Sequence, residues 1–480
     1  MKAEKLALLQ PETVFGYFEK LCSIPHGSGN TKAISDYLVS FAEEHKLHYI
    51  QDAANNVILF GEASVGYEDH PPVIIQGHMD MVCEKDADCP LNMDTDGLDI
   101  THDGNYVFAR GTTLGGDNGI AVAYALAILA DKTIPHPPLE VVITVDEEIG
   151  MLGAEVIDVS MLKGRTLLNL DSEEEGIFTV ACAGGATATL SLPVQRKPVY
   201  GPCIRLVVDS LQGGHSGVDI DKNRACALKV MGQLLKRVAA IMPMRITSLQ
   251  GGTKDNAIPR NCETTLVMLG MNPEKINDIC SEIQDEMRKA YDEPALSVYG
   301  ENVDALGGNA LSQEQTQTVI DWLSGIPSGV LAMSQEIPGL VQTSQNMAIV
   351  RVDDALHLTV SVRSSVEEEK NERLQILKEL TQKDGAAYEE FGDYPAWEFR
   401  VDSPLRDTMI EVYRDMYKAE PQVVAIHAGL ECGLLSQKLP GLDCVSIGPE
   451  MHDIHTSRER LGIASVKRFY EFILEILKRL

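Results

Sequence analysis

The 480-residue sequence predicts an α/β protein: a mixed sheet flanked by helices, interrupted by a long α+β insertion. Three observations predict it. Short apolar runs alternate with amphipathic helical stretches over residues 1–180. Polar and charged residues gather just past the C-terminal ends of those runs. The texture changes after Ala183-Gly184-Gly185 and returns near residue 404. Short buried strands separated by helices describe a sheet covered on both faces.

Taken in order, helical stretches around 13–22 and 31–45 precede the strand-like PPVIIQGHMDMV (71–82). GIAVAYALAILAD (119–131) then reads as a helix, LEVVITV (139–145) as a buried strand and RTLLNLD (165–171) as another. In the insertion, CIRLVVDS (203–210) reads as a strand, NRACALKVMGQLLKRVAAI (223–241) as a helix and TTLVMLGM (264–271) as a strand. INDICSEIQDEMRKAY (276–291) is a helix, and NMAIVRV (346–352) and LHLTVSVRS (356–364) pair across Asp353-Asp354. VEEEKNERLQILKELTQK (366–383) closes this region as a helix. From 404 come the helix PLRDTMIEVYRDMYKA, the strand-like QVVAIHAG and LDCVSIG, and the amphipathic helix SVKRFYEFILEILKRL. The simplest organisation is a discontinuous domain, 1–186 with 396–480, and an inserted domain, 187–395.

Lys and Arg number 41 and Asp and Glu 71, a net charge of −30. Such a surface repels phosphate, so neither nucleic acid nor an anionic membrane is an expected partner. The apolar run LALL near the N-terminus is too short for a signal-peptide core. No run approaches the roughly 18 apolar residues of a membrane span. The ten cysteines form no C-x-x-C pair and read as free thiols, so a cytoplasmic location is expected.

Four segments carry candidate chemistry. In GHMDMV, His78 and Asp80 are two apart and would share a face of an extended segment. In GTTLGGDNGIAVAYA, Asp117 sits at the mouth of a helix, as a cap or as a bridge between cations. In DEEIGMLGA, adjacent Glu147 and Glu148 repel each other unless a cation or proton intervenes, and they cannot point the same way. One would ligate metal and the other act as general base. LLNLDSEEEG places Asp171 after another apolar strand. Each pattern alone is an ordinary surface or capping feature; together they converge on one sheet edge, where open α/β sheets bind ligands. Oxygen-rich ligation with one histidine per ion suits two borderline divalent cations such as zinc, manganese or cobalt.

The motifs GHMDMVCEK, RGTTLGGDNGIAVA, VDEEIGMLGA, NLDSEEEG, GGHSGVDIDKNRACA, GTKDNAIPR and HAGLECG occur in this order along the chain. On them the sequence resembles the co-catalytic zinc metallopeptidases, the family of carboxypeptidase G, aminoacylase, succinyl-diaminopimelate desuccinylase and tripeptidase T. Within it the likeness is to the subgroup of aminoacyl-histidine, or cytosol non-specific, dipeptidases. The resemblance implies a phosphorylase/hydrolase-like zinc-peptidase catalytic domain carrying a lid, and two divalent ions, zinc above all. It implies His78 and Asp171 on one ion, Glu148 on the other and Asp117 bridging. It further implies Asp80 orienting His78 and Glu147 as general base. The last ligand would be His455, which has Glu459 four residues on; His452 is the alternative. In the insertion, His215 would stabilise the oxyanion, Asn256 and Arg363 would grip the substrate's terminal carboxylate, and Gly429 and Gly433 would offer backbone donors. Short peptides would be the substrates and a homodimer the assembly. An N-acyl amino-acid amidohydrolase using the same metals is the alternative enzyme, and a metal-binding protein without catalysis the alternative class.

Overall fold

Val73–His78 and Leu139–Thr144 are buried at every position, as strands can be only where both faces of their sheet are covered. The two pair in parallel, as do Val73–His78 with Thr166–Asn169 and Thr166–Asn169 with Asp443–Ser446. These four parallel strands are the centre of an eight-stranded sheet. Its order is His48–Gln51, Val57–Gly61, Leu139–Thr144, Val73–His78, Thr166–Asn169, Asp443–Ser446, Ile177–Cys182, Gln422–Ile426. The first two strands run antiparallel to their neighbours, so the sheet is mixed.

The computed structural model describes residues 5–270 and 273–480. Residues 1–4, at the head of the segment read above for a leader, and Met271, the end of an expected strand, lie outside the described residues. The chain divides into two units. The first holds the sheet just given, apart from the end residues Cys182 and Ile426, and takes the chain up to Ala181, then Phe399–Ala425 and Leu430–Leu480; the second is Cys182–Glu398 with Ile426–Gly429.

In the first unit the helix Gly116–Ala130 is buried from Gly116 to Leu129, which explains why GIAVAYALAILAD has no polar face. It lies directly on Val73–His78. A β-carbon at Gly77 would stand 2.4 Å from Asn118 Oδ1 and 2.9 Å from Ala121 Cβ, so no larger residue fits there. The Tyr124 hydroxyl donates to the Val466 carbonyl at 3.1 Å, tying this helix to the C-terminal helix Ile463–Arg479.

The second unit is built on a nine-stranded antiparallel sheet. Its path runs Ser297–Val303, Cys203–Asp209, Cys262–Met268, Met244–Gly251, Val341–Val352, Ala355–Ser364, Gly184–Pro193, Ala387–Tyr394, with Gly329–Met333 paired to Val341–Val352. Helices Ala227–Ile241 and Gln313–Gly325 bury Leu228, Met231, Leu234, Leu235, Trp322 and Leu323 in its core.

The segments read from apolar pattern all appear as elements, several of them shorter than read: QVVAIHAG is a strand only to Ile426, TTLVMLGM only to Met268, and the helix expected from Asn223 starts at Ala227, after Cys226 in an extended conformation. Several strands carried no such pattern. Ala387–Tyr394 is largely exposed and carries three acids, Glu389, Glu390 and Asp393, and Gly184–Pro193 is made mostly of small residues. Among the described residues the cysteines form no disulfide, and no helix is long and apolar enough to cross a membrane.

Candidate metal centre

His78 ends its strand, and the chains leaving the parallel neighbours bring Glu147, Glu148 and Asp171 to the same sheet edge. Asp117 arrives from the helix on top, and His455 from the segment after Met451–His452. His78 Nε2 lies 3.3 Å from Asp117 Oδ1 and 3.3 Å from Asp171 Oδ1. His455 Nε2 lies 3.1 Å from Asp117 Oδ2 and 3.0 Å from Glu148 Oε2. Asp117 therefore faces one histidine with each carboxylate oxygen. Ligands about 2.0–2.1 Å from a tetrahedral ion stand about 3.3–3.4 Å from one another, so the separations at His78 match a divalent site and those at His455 are a few tenths of an ångström shorter. His78, Asp117 and Glu148 also offer three ligand atoms that all lie within 4.8 Å of one another.

The supports are as specific. Asp80 accepts from His78 Nδ1 through its backbone carbonyl at 3.0 Å, while its carboxylate stands 3.4 Å from the same nitrogen. That carboxylate accepts the Glu147 N–H at 3.0 Å and the Ser28 hydroxyl at 2.8 Å, so it organises the Glu147-Glu148 loop as well as the imidazole. Asn118, joined to Asp117 by a cis peptide, accepts the His78 N–H at 3.1 Å and donates to the Leu170 carbonyl at 2.7 Å.

Asp117 does not cap its own helix. Glu459 does: its carboxylate accepts the N–H groups of Leu114, Gly115, Gly116 and Asp117 at 2.7, 3.0, 2.8 and 3.3 Å. A buried anion at a helix N-terminus meets both the orphan donors and the helix dipole. Gly115 makes the turn at φ 69°. His455 itself adopts a left-handed φ of 60°, a conformation costing a non-glycine residue about 1 kcal/mol, which the surrounding structure holds.

Electrostatically the site asks for cations. Burial raises the Glu147 carboxyl well above its usual range; His78 opposes this, and Asp171, Glu431 and Glu148 add to it. Burial likewise raises Glu148 and Asp171. Burial alone would raise Asp117, but its bonds to His455 and His78 carry it below the ordinary range. Burial would lower His78, yet Asp171, Asp117 and Asp80 hold it well above. Bonds to Asp117 and Glu148 push His455 up to about 10. Mutually repelling buried acids of this kind are neutralised by divalent ions. The residues fit such ions.

Glu147 joins neither trio; its Oε2 is 4.0 Å from His78 Nε2. His452, the alternative histidine, lies 2.7 Å from Glu450 instead. In the second unit, His215 and Asn256 come together through the paired strands Gly214–His215 and Ala257–Ile258, and the Asn256 carbonyl accepts the Ser216 N–H at 2.8 Å. His215 Nδ1 accepts from the N–H groups of Gly217 and Val218 at 3.1 and 3.3 Å, which leaves the proton on Nε2. Burial, then the Arg363 charge, lowers its pKa. Arg363 Nη1 donates to the Tyr394 hydroxyl at 2.6 Å. Gly429 is half-buried, but Gly433 lies within the helix Glu431–Lys438 and spends its N–H on the Leu430 carbonyl at 3.0 Å. The backbone donor expected at Gly433 is therefore engaged.

Two groups escaped the reading of the sequence. Glu459 served there only as a spacing mark. Glu431 lies fully buried with its carboxylate on Gln76 (2.5 Å) and Thr144 (2.7 Å). Glu431 lies in the HAGLECG motif and Glu459 four residues after His455, but neither pattern shows what the carboxylate does; only their partners, more than 280 residues away in sequence, do.

Fold and site define a metallopeptidase class, and residues 74–479 match the model of Peptidase family M20/M25/M40, to which the chain belongs. Among individual proteins, the chain is 34% identical to the cytosol non-specific dipeptidase of Escherichia coli (strain K12), over 99% of both chains. The crystal structure of aminoacylhistidine dipeptidase from Vibrio alginolyticus superposes with a TM-score of 0.93 at 33% identity, covering 99% of this chain and 98% of that one. An aminopeptidase from Bacillus cereus, at 16% identity and a TM-score of 0.56 over 98% of both chains, shares the fold.

Proposed function

We propose that this M20-family peptidase is a dipeptidase of broad specificity, including Xaa-His and β-alanyl-His dipeptides, with two divalent ions, zinc foremost and cobalt or manganese as substitutes. The observation that carries it is Asp117, facing His78 with one oxygen and His455 with the other. His78 and Asp171 would hold one ion, Glu148 and His455 the other, with Asp117 between them. The likeness over the full chain to two dipeptidases supports the same reading.

When bound, the ions supply Lewis acidity that lowers the pKa of a water and polarises the scissile carbonyl. Glu147, outside both ligand trios, takes the proton of the attacking water and returns it to the leaving amine. Asp80 holds His78 and the Glu147 loop in register. His215, neutral with Nε2–H free, would donate to the oxyanion. Arg363 and Asn256 would take the substrate's terminal carboxylate, and the Gly429 backbone the peptide. The surrounding acids would attract its free N-terminus. A homodimer in the cytoplasm completes the reading, with the name of the Escherichia coli relative in support of the location.

Metal analysis combined with turnover of Ala-His, β-alanyl-His and an N-acetyl amino acid tests this. Dipeptide cleavage with two ions per chain is expected. Preference for the N-acetyl amino acid would make the protein an amidohydrolase, and two ions with no turnover of either would make it a binding protein.

A further inference from the structure

We infer that Tyr394 is the positioning residue of the Arg363 guanidinium, so that a row of four residues across the second unit's sheet forms a fixed reader of a carboxylate. This deepens the role proposed above for Arg363 and rests on it. In the sheet register Tyr394 pairs with Gly185, Gly185 with Arg363, and Arg363 with Ser344. Residues directly opposite one another in an antiparallel ladder share a face, so all four lie in one row on one side of the sheet.

The row works because its second member has no side chain. A β-carbon at Gly185 would stand 2.5 Å from Tyr394 Oη and 2.7 Å from Cζ. Only glycine lets the ring lie across the intervening strand and bring its hydroxyl to Arg363. There Nη1 donates to Tyr394 Oη at 2.6 Å. Tyr394 is itself pinned from behind. Its carbonyl accepts from Lys370 Nζ at 2.9 Å, and this fully buried lysine also holds Asp393 at 2.6 Å and Glu367 at 2.9 Å. The other Glu367 oxygen accepts the Ala396 N–H at 3.0 Å, fixing the chain just past Tyr394. On the far flank, Ser344 Oγ lies 2.7 Å from His427 Nε2.

What the row lacks is an anion. Among the described residues Arg363 has no carboxylate partner, its Nε is buried without an acceptor, and Nη2 makes no hydrogen bond. A guanidinium is always charged, and a partly buried one held by a single neutral hydroxyl is completed by an anionic ligand. A planar carboxylate matches the fork, and the Tyr394 hydroxyl decides the plane in which the fork is presented.

The test compares Ala-His with its C-terminal amide, read as KM, or as a competitive Ki where the amide is not turned over. Tyr394→Phe removes only the hydroxyl. It is expected to raise KM for Ala-His about 10-fold, the worth of a hydrogen bond to a charged group, with kcat within about twofold and the amide unaffected. Gly185→Ala, which displaces the ring, should act in the same direction, and Arg363→Ala should exceed both. An Arg363→Ala variant with wild-type KM for Ala-His would refute the carboxylate reading of Arg363 itself. An effect of Arg363→Ala without one of Tyr394→Phe would overturn the positioning role alone. Equal losses on acid and amide, or a fall in kcat at unchanged KM, would assign Tyr394 to general structure and overturn it too.

Discussion

Glu147 and His427 show how single side chains take their character from burial and neighbours. Glu147 is a buried acid outside both ligand trios, so its removal should separate metal binding from chemistry. Glu147→Ala is expected to retain two ions per chain while dipeptide turnover falls about 10²–10⁴-fold, the usual worth of a general base; turnover near wild type would remove Glu147 from the mechanism. Burial, reinforced by the Arg363 charge, lowers His427 to about 3. Its folded pKa lies below the unfolded value of about 6.5, so the native state binds fewer protons than the unfolded one. The stability contributed by neutral His427 is whole above about pH 6.5 and is lost as the pH falls toward about 3. His427→Gln should therefore flatten the acid side of a melting-temperature profile between pH 6.5 and 4. An equally steep decline in the variant would place the acid sensitivity elsewhere.

At the scale of elements, the turn Leu114–Asp117 is held by one carboxylate from near the other end of the chain. Because Glu459 takes four N–H groups of that turn, it sets where Asp117 stands without approaching a ligand position itself. Glu459→Ala should weaken metal affinity about 10–100-fold, as loss of a group that orients a ligand does. Competition with a chromophoric chelator would measure this. Glu459→Gln, which keeps one acceptor oxygen, should fall between the variant and wild type. Unchanged affinity in Glu459→Ala would mean that the glycine turn and Asn118 suffice. His78, Glu148 and Asp171 were legible in the sequence because each follows an apolar strand, and strand ends of a parallel sheet share an edge. Glu459 and Glu431 were not, because a cap or a buried partner is defined by the backbone it meets.

At the scale of the molecule, every candidate metal ligand belongs to the first unit, although the chain supplies them from His78 to His455. Ion binding should therefore stabilise that unit selectively. Saturation at 1,000 times Kd contributes about 4 kcal/mol, so stripping with EDTA should lower the melting transition of the first unit and abolish turnover, with zinc, cobalt or manganese restoring both. If EDTA shifted only a transition that proteolysis maps to Cys182–Glu398, the site would lie elsewhere. The charge of −30 is then mostly surface. Five acids, Asp80, Asp117, Glu147, Glu148 and Asp171, are assigned chemistry here, and Glu459 and Glu431 join them as buried supports.

By itself the sequence determined the α/β class, the strands and helices that bury apolar faces, and the acids and histidine at the strand ends. Those features are local: periodicity and the residue after a strand are written in consecutive positions. The tertiary structure alone decided the register that sets Tyr394 over Gly185 beside Arg363, the capping of the Asp117 turn by Glu459, and the engaged N–H of Gly433. The physical reason is common to all three. Each is a hydrogen bond or close approach whose partner is chosen by the folded backbone, and no spacing along the chain encodes which donor will face which acceptor.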